Sequence, residues 1–597
     1  MIEPLPEPAG AVRSSNRPIV TFTAGFLDTA RSALQEYLPV QSDTSLTAKS
    51  PGTDSATSGR LPVDIRRFPW IRRLAADYAF DYGRLADFFA GNPGEAAAWR
   101  DAITRAANHR RDRDAVVEVL RSQQRRRQAP AEALAAAARL ADPKSVAVVT
   151  GQQAGLFGGP LFTLLKALTA VQLAERVRTE HHVPAVAVFW VDAEDHDWDE
   201  VKACRVLNAD QAPRSVSTGD LPGARSGPVA RVRLNETITT ALSELESALP
   251  ATEFTPALLD DLRRCYEPGV GMAEAFSRWL ERVLGPRGLV VFDSSDPAAK
   301  PLVAGVFARE IENPGETSRL AAEAGSALTA RGYHAQVTPG EGSLALFHMN
   351  AGREPIKASS SGFEVGDRTQ SKSALLERVR THPAEFSPNV LLRPVVQDTL
   401  FPTVCYVAGP SELAYLGQLR RVYAAFDIPM PLIQQRASAT IVDSNAMRFL
   451  SKHDVSIEVL RAQDEAALND LLIAQLPTSV EVAMQMAGDT IEQRMDALAR
   501  EVPRIDATLE GATRSTLSRM QDDLKKLHAK IVQAAKRKDE TLRRQFHHAQ
   551  AQAFPGGHPQ EREIGFVGFL NKYGPGLIDR LVEALPAEMG THWVITI

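Results

Sequence analysis

The first regular hydrophobic pattern in the chain runs through residues 68–141. Apolar side chains recur there at Ile71, Leu74, Tyr78 and Leu85. Spacings of three, four and seven residues place these side chains on one face of a helix. We therefore expect an α-helical region ahead of the rest of the fold.

The stretch before it has a different composition. Residues 41–60, QSDTSLTAKSPGTDSATSGR, are rich in Ser, Thr, Gly and Pro and contain almost no apolar side chain to bury. Such a composition is typical of flexible segments. We predict that residues 1–60 form an N-terminal extension, partly flexible, to which no role in the site is assigned.

Beyond residue 141 short β-branched runs alternate with helical patterns, which is typical of parallel strands joined by crossover helices. Polar stretches near 208–285 and 335–390 do not fit this alternation, so we interpret them as insertions. The prediction is an α/β fold in which residues 61–440 form a Rossmann-like core with the helical region and the insertions. The predicted strands are Val146–Val149, Ala185–Val191, Leu289–Phe292, Val404–Val407 and Pro431–Ile433.

After about residue 440 the pattern predicts no further strands. Between residues 478 and 550 apolar residues repeat at alternating intervals of three and four, which indicates a coiled coil. Pro503 predicts a turn between two antiparallel arms, because proline removes a helical donor and clashes with the preceding turn. We expect a coiled-coil domain over 441–555 and a tail, 556–597, that packs on the body. The seam residues are Leu517, Met520, Leu524, Leu527, Ile531 and Ala534.

Composition narrows the possible functions. The 597 residues are 44% hydrophobic and 24% charged, with a formal net charge of -5, which is typical of a globular protein and not of a general nucleic-acid binder. No apolar run reaches the ~20 residues that span a bilayer, and no secretion signal precedes the pattern. We expect a cytoplasmic protein.

The cysteines Cys204, Cys265 and Cys405 are too far apart for a CxxC site and are interpreted as core residues.

The first candidate for chemistry is VTGQQAGLFGGPLFTLLK, residues 149–166. A predicted strand runs into a glycine-rich turn, and Pro160 stands where a helix should begin, a position that tolerates its missing N–H. Free N–H groups at a helix start attract anions, and glycines allow close approach. The amides of Gln152 and Gln153 are poor core material. The stretch matches neither common nucleotide motif, so an anion site and a merely tight turn both remain open.

The second candidate is the acidic run after the strand that ends at Val191, DAEDHDWDE, residues 192–200. The carboxyl ends of parallel strands form the ligand crevice of open α/β sheets. Crowded carboxylates raise one another's pKa unless a cation joins them. A solvated acidic turn is the alternative. Zinc is disfavoured because one imidazole and no thiol are near, whereas magnesium carried by a nucleotide needs only one or two carboxylates.

The third candidate consists of two segments, one before and one after the predicted strand at 404–407. Arg393 could pair with a carboxylate or phosphate through two hydrogen bonds. A Gly409–Pro410 step again predicts a helix start at the end of a strand, and Glu412 and Tyr415 share a helix face. A buried ion pair with a core tyrosine is an equally acceptable interpretation.

Together these blocks resemble the cysteine-adding enzyme family BshC. The segments TGQQAGLFGGPLFTLLKA, VFWVDAEDHDWDEV and LRPVVQDTLFPTVCYVAGPSELAYLGQL occur in the order found in that family. The resemblance extends from about Phe68 to the C-terminus, where Glu561–Glu563 and FLNKYG at 569–574 also match. The long N-terminal extension is where the chain departs from the family.

The resemblance implies a Rossmann-like core related to nucleotidyltransferases, connecting insertions, and a C-terminal α-helical antiparallel coiled coil that makes a homodimer. It implies a cytoplasmic ligase that adds cysteine to the amino group of glucosaminyl malate, the last step of bacillithiol assembly. Amide formation from a free carboxylate is uphill, so we expect ATP with Mg²⁺ to activate it as an acyl phosphate or adenylate. We expect small-molecule substrates and no nucleic-acid or membrane partner.

The site hypothesis assigns catalysis to three residues of the acidic run. His196 is the candidate general base because its usual pKa lies near working pH, and Asp195 or Asp197 would orient it. Arg393 and then Lys166 are the candidate cations for the malate carboxylates. No metal is assigned to the protein itself. The candidate substrate- or phosphate-binding residues are Gly151, Gln152, Gln153, Gly155, Gly158, Gly159, Lys166, Asp192, Glu194, Asn389, Arg393, Asp398, Gly409, Glu412 and Tyr415.

Two alternatives are kept. One is a nucleotidyltransferase-like ligase that acts on a different amine. The other is a non-catalytic protein whose coiled coil is the functional part. Loss of thiol product in His196→Ala and Gln152→Ala would favour the ligase, and loss of function only in Leu524→Pro would favour the interaction protein.

Overall fold

The computed structural model describes residues 59–597 except positions 341, 351, 475–477 and 539. The prediction of a partly flexible extension over residues 1–60 falls on positions 1–58 almost entirely and so lies outside the described residues. The first strand of the described chain begins at Arg60.

The strands are β1 Arg60–Asp64, β2 Val146–Gln152, β3 Ala185–Val191, β4 Ala203–Leu207, β5 Pro213–Ser217, β6 Val290–Asp293, β7 Ser343–Met349, β8 Arg353–Ser359, β9 Gly362–Val365, β10 Arg368–Gln370, β11 Phe386–Pro388, β12 Thr403–Ala408, β13 Leu432–Gln435, β14 Ser438–Val442 and β15 Thr591–Thr596. The α-helices are Arg73–Phe80, Ala96–Asn108, Arg113–Arg127, Ala131–Arg139, Leu161–Glu180, Trp198–Val201, Thr237–Ala248, Thr255–Cys265, Met272–Leu284, Lys300–Glu312, Glu316–Ala330, Lys372–Thr381, Arg393–Leu400, Glu412–Leu416, Arg420–Ala425, Ser444–His453, Ala466–Ala474, Thr478–Glu501, Leu509–Lys538, Glu540–Ala553, Gln560–Glu563, Phe566–Tyr573 and Leu577–Ala584.

The centre of the fold is a five-stranded sheet in the order β13-β12-β2-β3-β6. All of its neighbours are parallel. Helices cover both faces, so β3 is buried along its whole length, as expected for strands that read as continuous apolar runs. Each of the five predicted core strands overlaps one of these, and the Rossmann-like prediction is confirmed.

The chain order sets where a ligand can enter this sheet. From β2 the chain continues to β3 and β6 on one side, and later returns to place β12 and β13 on the other side of β2. Open α/β sheets bind ligands at the carboxyl edge where the winding reverses. The loops after β2, β3 and β12 all leave from that edge.

The two insertions differ in structure. The first contains the β4–β5 antiparallel hairpin and the helices Thr237–Ala248, Thr255–Cys265 and Met272–Leu284. The second forms an antiparallel sheet in the order β10-β9-β8-β7-β11.

The prediction that strands stop after residue 440 is wrong. β14 extends to Val442, and β15, at the end of the chain, pairs parallel with β14 and antiparallel with β1. This third sheet joins residues that are more than a hundred positions apart, which no local pattern reports.

The predicted coiled coil is confirmed as an antiparallel hairpin of Thr478–Glu501 and Leu509–Lys538. Pro503 lies in the short 3₁₀ turn between the arms. His528 Nε2 lies 3.1 Å from the Glu481 carboxylate on the other arm, which fixes the antiparallel pairing. Within the described part of the chain, no helix is both long and apolar enough to cross a bilayer.

Candidate functional site

The loop after β2 is shaped by glycines that no other residue could replace. Gly158 has a φ of 97°, and a Cβ there would lie 2.3 Å from the ring of Phe566. A Cβ on Gly155 would lie 2.9 Å from the Cα of Gly159. The glycines therefore let the loop fold tightly on itself and against the C-terminal segment.

This tight folding revises one prediction. The N–H groups of Gly155, Gly158 and Gly159 donate to the carbonyls of Gln153, Gly155 and Leu156. The Leu161 N–H at the helix start donates to the Ile564 carbonyl at 2.8 Å. These donors are therefore not free for an anion, and the predicted backbone cradle at the three glycines is wrong.

Lys166 is also engaged inside the protein. Its Nζ lies 2.5 Å from the Glu412 carboxylate and donates to the carbonyl of Gly151 at 2.9 Å and to the side chain of Gln152 at 3.2 Å. A buried lysine neutralised in this way ties the first motif to the third. Its predicted role as a malate cation is therefore disfavoured by the geometry.

The acidic run lies beside the first motif. The N–H of Asp192 donates to the carbonyl of Gln152 at 3.0 Å, and Gln153 Nε2 donates to Asp195 at 2.6 Å. Glu194 turns away into the protein, where Lys300 lies 2.5 Å from it and Ser387 donates to it at 3.1 Å. Glu194 therefore anchors the loop from behind.

Burial separates the acids of this run by pKa. It raises the pKa of Asp192 to about 6 and that of Glu200 to about 7, since a carboxylate loses solvation inside the protein. Burial also acts on Asp195, but hydrogen bonds from His196 and Gln153 outweigh it and lower the pKa to about 2. Asp195 thus remains charged at neutral pH, while Asp192 and Glu200 can exchange protons.

His196 and Asp197 occupy different places than predicted. The side chain of His196 is 50% exposed, with its Nδ1 3.4 Å from Asp195, so it stands at the rim of the crevice. Asp197 accepts the N–H of Glu200 at 3.1 Å and caps the helix Trp198–Val201. Its carboxylate is used for the cap, and the prediction that it could orient His196 is corrected.

The third motif closes the crevice from the β12 side. Arg393 is buried, donates to Gln397 at 3.1 Å and Tyr415 at 3.3 Å, and its Nε lies 3.9 Å from Asp192. Glu412 accepts the N–H of Gly409 at 2.6 Å. Burial would raise the pKa of Glu412, but Lys166 and this N–H lower it overall.

Two predicted residues of this motif do not reach the crevice. Asn389 accepts the N–H groups of Leu391 and Leu392 and shapes a turn. Asp398 is enclosed and accepts the hydroxyl of Tyr423 at 2.5 Å. Their predicted binding roles are corrected to structural ones.

Four further residues, which the sequence did not assign to the site, lie around the same crevice. Lys300 reaches Glu194 from a distant helix. Arg353, on β8, donates to the Pro388 carbonyl at 2.8 Å. Its positive charge acts to lower the pKa of Asp192 and of Asp195. Glu200 is one of six acidic residues in the run 192–200, which the sequence alone does not tell apart. Arg562 lies in the C-terminal tail. Only the long-range fold brings Arg353 and Arg562 here. The segment 561–563 was marked by its resemblance to the family, but nothing in the sequence pointed to a place in the site.

A small pocket lies at this edge of the sheet. Asp192, Glu194, Lys300 and Arg393 line it together with the ring of Trp190. Two contacts connect the three motifs. Gln153 of the first motif donates to Asp195 of the second, and Asp192 of the second lies near Arg393 of the third. Gln152, His196 and Arg393 therefore belong to one connected site.

The described residues were also compared with what a metal site or a reactive thiol requires. Among the residues that the structure describes, no group of three or more His, Cys, Asp and Glu side chains could hold a metal ion. The three cysteines are buried, and burial raises the pKa of each thiol to about 12. A thiol with so high a pKa is a poor nucleophile at neutral pH.

Comparisons with known proteins identify both domains of the chain. The family model "Bacillithiol biosynthesis BshC, N-terminal Rossmann-like domain" matches residues 62–437, and the model of the BshC C-terminal coiled-coil domain matches 439–597. Three similar proteins share the name "Putative cysteine ligase BshC". The one from Salinibacter ruber is 36% identical over 91% of this chain and 99% of its own length. The one from Koribacter versatilis is 33% identical over 87% of this chain and 97% of its own length. The one from Chlorobaculum tepidum is 32% identical over 79% of this chain and 86% of its own length.

Proposed function

Because this chain belongs to the bacillithiol biosynthesis BshC family, we propose that it joins the carboxyl group of cysteine to the amino group of glucosaminyl malate, the last step of bacillithiol assembly. The protein is accordingly an enzyme, a ligase that forms an amide bond. The observation that carries the proposal is the meeting of the three motifs at one sheet edge.

Activation of the carboxylate is the costly step, and we assign it to ATP with Mg²⁺. The cationic side of the crevice supports this assignment, because Arg393 and Arg353 stand where phosphate or carboxylate oxygens would need charge compensation. Asp192 is the carboxylate best placed to meet a nucleotide-bound magnesium ion, since such an ion needs only one or two carboxylates.

The chain's own residues handle the proton. The substrate amine must be neutral to attack the activated carboxyl carbon, and its proton must leave as the C–N bond forms and the activating group departs. We assign Glu200 as the base because its pKa of about 7 suits proton exchange at neutral pH. His196 and the charged Asp195 at the rim would then hold the incoming amine.

The working protein in this proposal is a cytoplasmic homodimer formed through the coiled coil. Support comes from apolar side chains on the hairpin that remain exposed, among them Met486 and Leu527. A continuous apolar row on a helix pair is best covered by another helix pair.

Incubation of the purified protein with ATP, cysteine and glucosaminyl malate tests the reaction directly. We expect an amide product with the summed mass of the two substrates less one water, and no product when ATP is left out. A product with some other amine, and none with glucosaminyl malate, would favour the alternative ligase. Cells carrying Gln152→Ala should accumulate glucosaminyl malate and lose bacillithiol.

A further inference from the structure

Beside the crevice lies a cation, Arg562, that pairs with no carboxylate in the part of the chain that the structure describes. Arg562 lies in the short helix Gln560–Glu563, beyond the coiled coil. Among the residues that the structure describes, none forms a hydrogen bond or ion pair with its guanidinium. Three lysines and arginines near the site form ion pairs: Lys166 with Glu412, Lys300 with Glu194, and Arg436 with Glu561. Arg393 donates to Gln397 and Tyr415, and Arg353 donates to the Pro388 carbonyl.

The backbone around Arg562 is fixed on both sides. On one side Glu561 accepts two hydrogen bonds from Arg436, at 2.7 and 2.8 Å, and one from Ser438 at 3.0 Å. On the other side the Ile564 carbonyl accepts the Leu161 N–H at the start of the helix after β2. The backbone of Arg562 is therefore held next to the glycine loop.

The electrostatic neighbours of Arg562 locate its side chain. It is open to solvent, yet the surrounding protein desolvates it enough to lower its pKa, with Arg436 acting in the same direction. The carboxylates of Glu412 and Glu200 act on it from two of the three motifs. The helix of Arg562 also lies at the carboxyl edge of the sheet, because Glu561 binds Arg436, whose N–H donates to the carbonyl of Ala408 at the end of β12. Arg562 is therefore beside the loops that form the crevice.

We propose that Arg562 is a substrate-binding residue that holds an anionic oxygen group of a substrate at the β2 end of the crevice, so that the C-terminal region completes the active site. The group is a carboxylate of the malate part or a phosphate of the nucleotide, and this choice of ligands rests on the proposed function. Arginine suits either one, because its planar fork donates two parallel hydrogen bonds. It also replaces the backbone donors that the glycine loop uses internally.

The test is equilibrium binding to the full-length protein, with L-malate and Mg-ATP titrated separately by calorimetry. Removal of the charge in Arg562→Gln should weaken the binding of one of the two by ~10-fold or more, since charge-assisted hydrogen bonds contribute strongly. Loss for malate alone identifies a carboxylate site, and loss for Mg-ATP alone a phosphate site. Arg562→Lys should restore part of the affinity, because the charge remains while the fork is lost.

Arg205→Gln is the matched control. Arg205 pairs with Glu563, one position from Arg562, but its side chain is exposed outside the crevice. Affinities of Arg562→Gln and Arg562→Lys that both stay within twofold of wild type would overturn the proposal. If Arg562→Gln does not fold, Arg562→Lys is measured alone, and an affinity within twofold of wild type in that variant would also overturn the proposal. Binding needs no turnover, so an enzyme that binds malate through Arg562 but makes no amide would contradict the proposed function and leave this inference standing.

Discussion

Glu200 is the residue whose surroundings bear most directly on the chemistry. Loss of solvation inside the protein raises its pKa to about 7, and the charges of Asp197 and Asp195 add to this. Gln153 and Lys166 act in the opposite direction without cancelling the rise. Glu200 is therefore protonated below about pH 7 and becomes a base above it.

This protonation predicts a pH dependence. In the wild type kcat/KM should rise with pH, reach half of its plateau near pH 7 and level off about one unit above that, because only the ionised carboxylate accepts the amine proton. Glu200→Gln should lower kcat by ~100-fold or more and remove that rise. Initial rates across pH 5.5–8.5, a range of roughly a unit and a half about the pKa, provide the measurement.

Asp199→Asn is the control for this prediction. Asp199 is a neighbour in the same acidic run, but it is exposed and paired with Lys202 and Arg225, so its loss should leave the profile unchanged. A profile that keeps its rise in Glu200→Gln and loses it in His196→Gln would return the role of base to His196.

At the scale of single residues the sequence marked the acidic run but not the order within it. Six carboxylates in nine positions look alike in the sequence. Their roles diverge because Asp197 caps a four-residue helix, Glu194 meets Lys300 from a distant helix, and Asp195 meets Gln153. These partners are set by tertiary structure, which explains why Asp197 was misassigned and Glu200 overlooked.

Among the elements, the segment that carries Gln560 and Glu561 joins the C-terminal region to the core. Gln560 bonds both the N–H and the carbonyl of Ile441, so its amide extends β14 like a strand partner. Burial would raise the pKa of Glu561, but its ion pair with Arg436 dominates and lowers it to about 2. The charged pair therefore persists at every pH at which the protein works.

Loss of this pair should destabilise the protein. Glu561→Gln leaves Arg436 charged and buried without a counterion, which costs ~3 kcal/mol or more. The pKa of Glu561 is lower in the folded protein, about 2, than in the unfolded chain, 4.5. Its ionised form therefore stabilises the fold fully above pH 4.5, and that stabilisation is lost as the pH falls towards 2. The difference in unfolding midpoint between wild type and variant should thus shrink below about pH 4.5.

Thermal unfolding followed by circular dichroism at several pH values measures that difference. Glu563→Gln is the control, because Glu563 pairs with an arginine that is largely exposed and such pairs contribute ~1 kcal/mol at most. Equal destabilisation in the two variants would mean that the buried pair does not hold the segment in place.

The elements also show what a local pattern can predict. The core strands were found because a buried parallel strand such as β3 is an unbroken apolar run. The sheet of β7–β11 was missed because β8 is mostly half-exposed and β9, β10 and β11 have only three or four residues each, so the apolar alternation is weak. β15 was missed because its partners β1 and β14 lie far away in the sequence.

At the scale of the whole molecule the coiled-coil hairpin is only half covered by its own arms. Leu517, Leu524 and Ile531 recur every seven residues and are partly buried against the other arm. The second row of the same predicted seam, Met520 and Leu527, is 38% and 48% exposed. The heptad pattern thus predicted the seam, but one chain buries only one of its two rows.

The exposed row leads to a test of the proposed homodimer. Introducing charge with Met520→Glu and Leu527→Glu together should convert a dimer into a folded monomer, because two carboxylates cannot be desolvated at an apolar interface without a large cost. The hairpin itself should survive, since Leu517 and Leu524 still pack between the arms. Sedimentation equilibrium gives the mass, and circular dichroism checks that the helices remain.

Ser518→Glu is the matched control, because Ser518 is exposed on the same helix and, two positions from Met520, points to the opposite side. It should leave the mass unchanged. A wild-type protein that sediments as a monomer, or a double variant that stays dimeric, would contradict the coiled-coil dimer. Because the crevice residues lie outside the hairpin Thr478–Glu501 and Leu509–Lys538, the monomeric variant should retain amide formation, which separates the role of the coiled coil in assembly from that of Arg562 in binding.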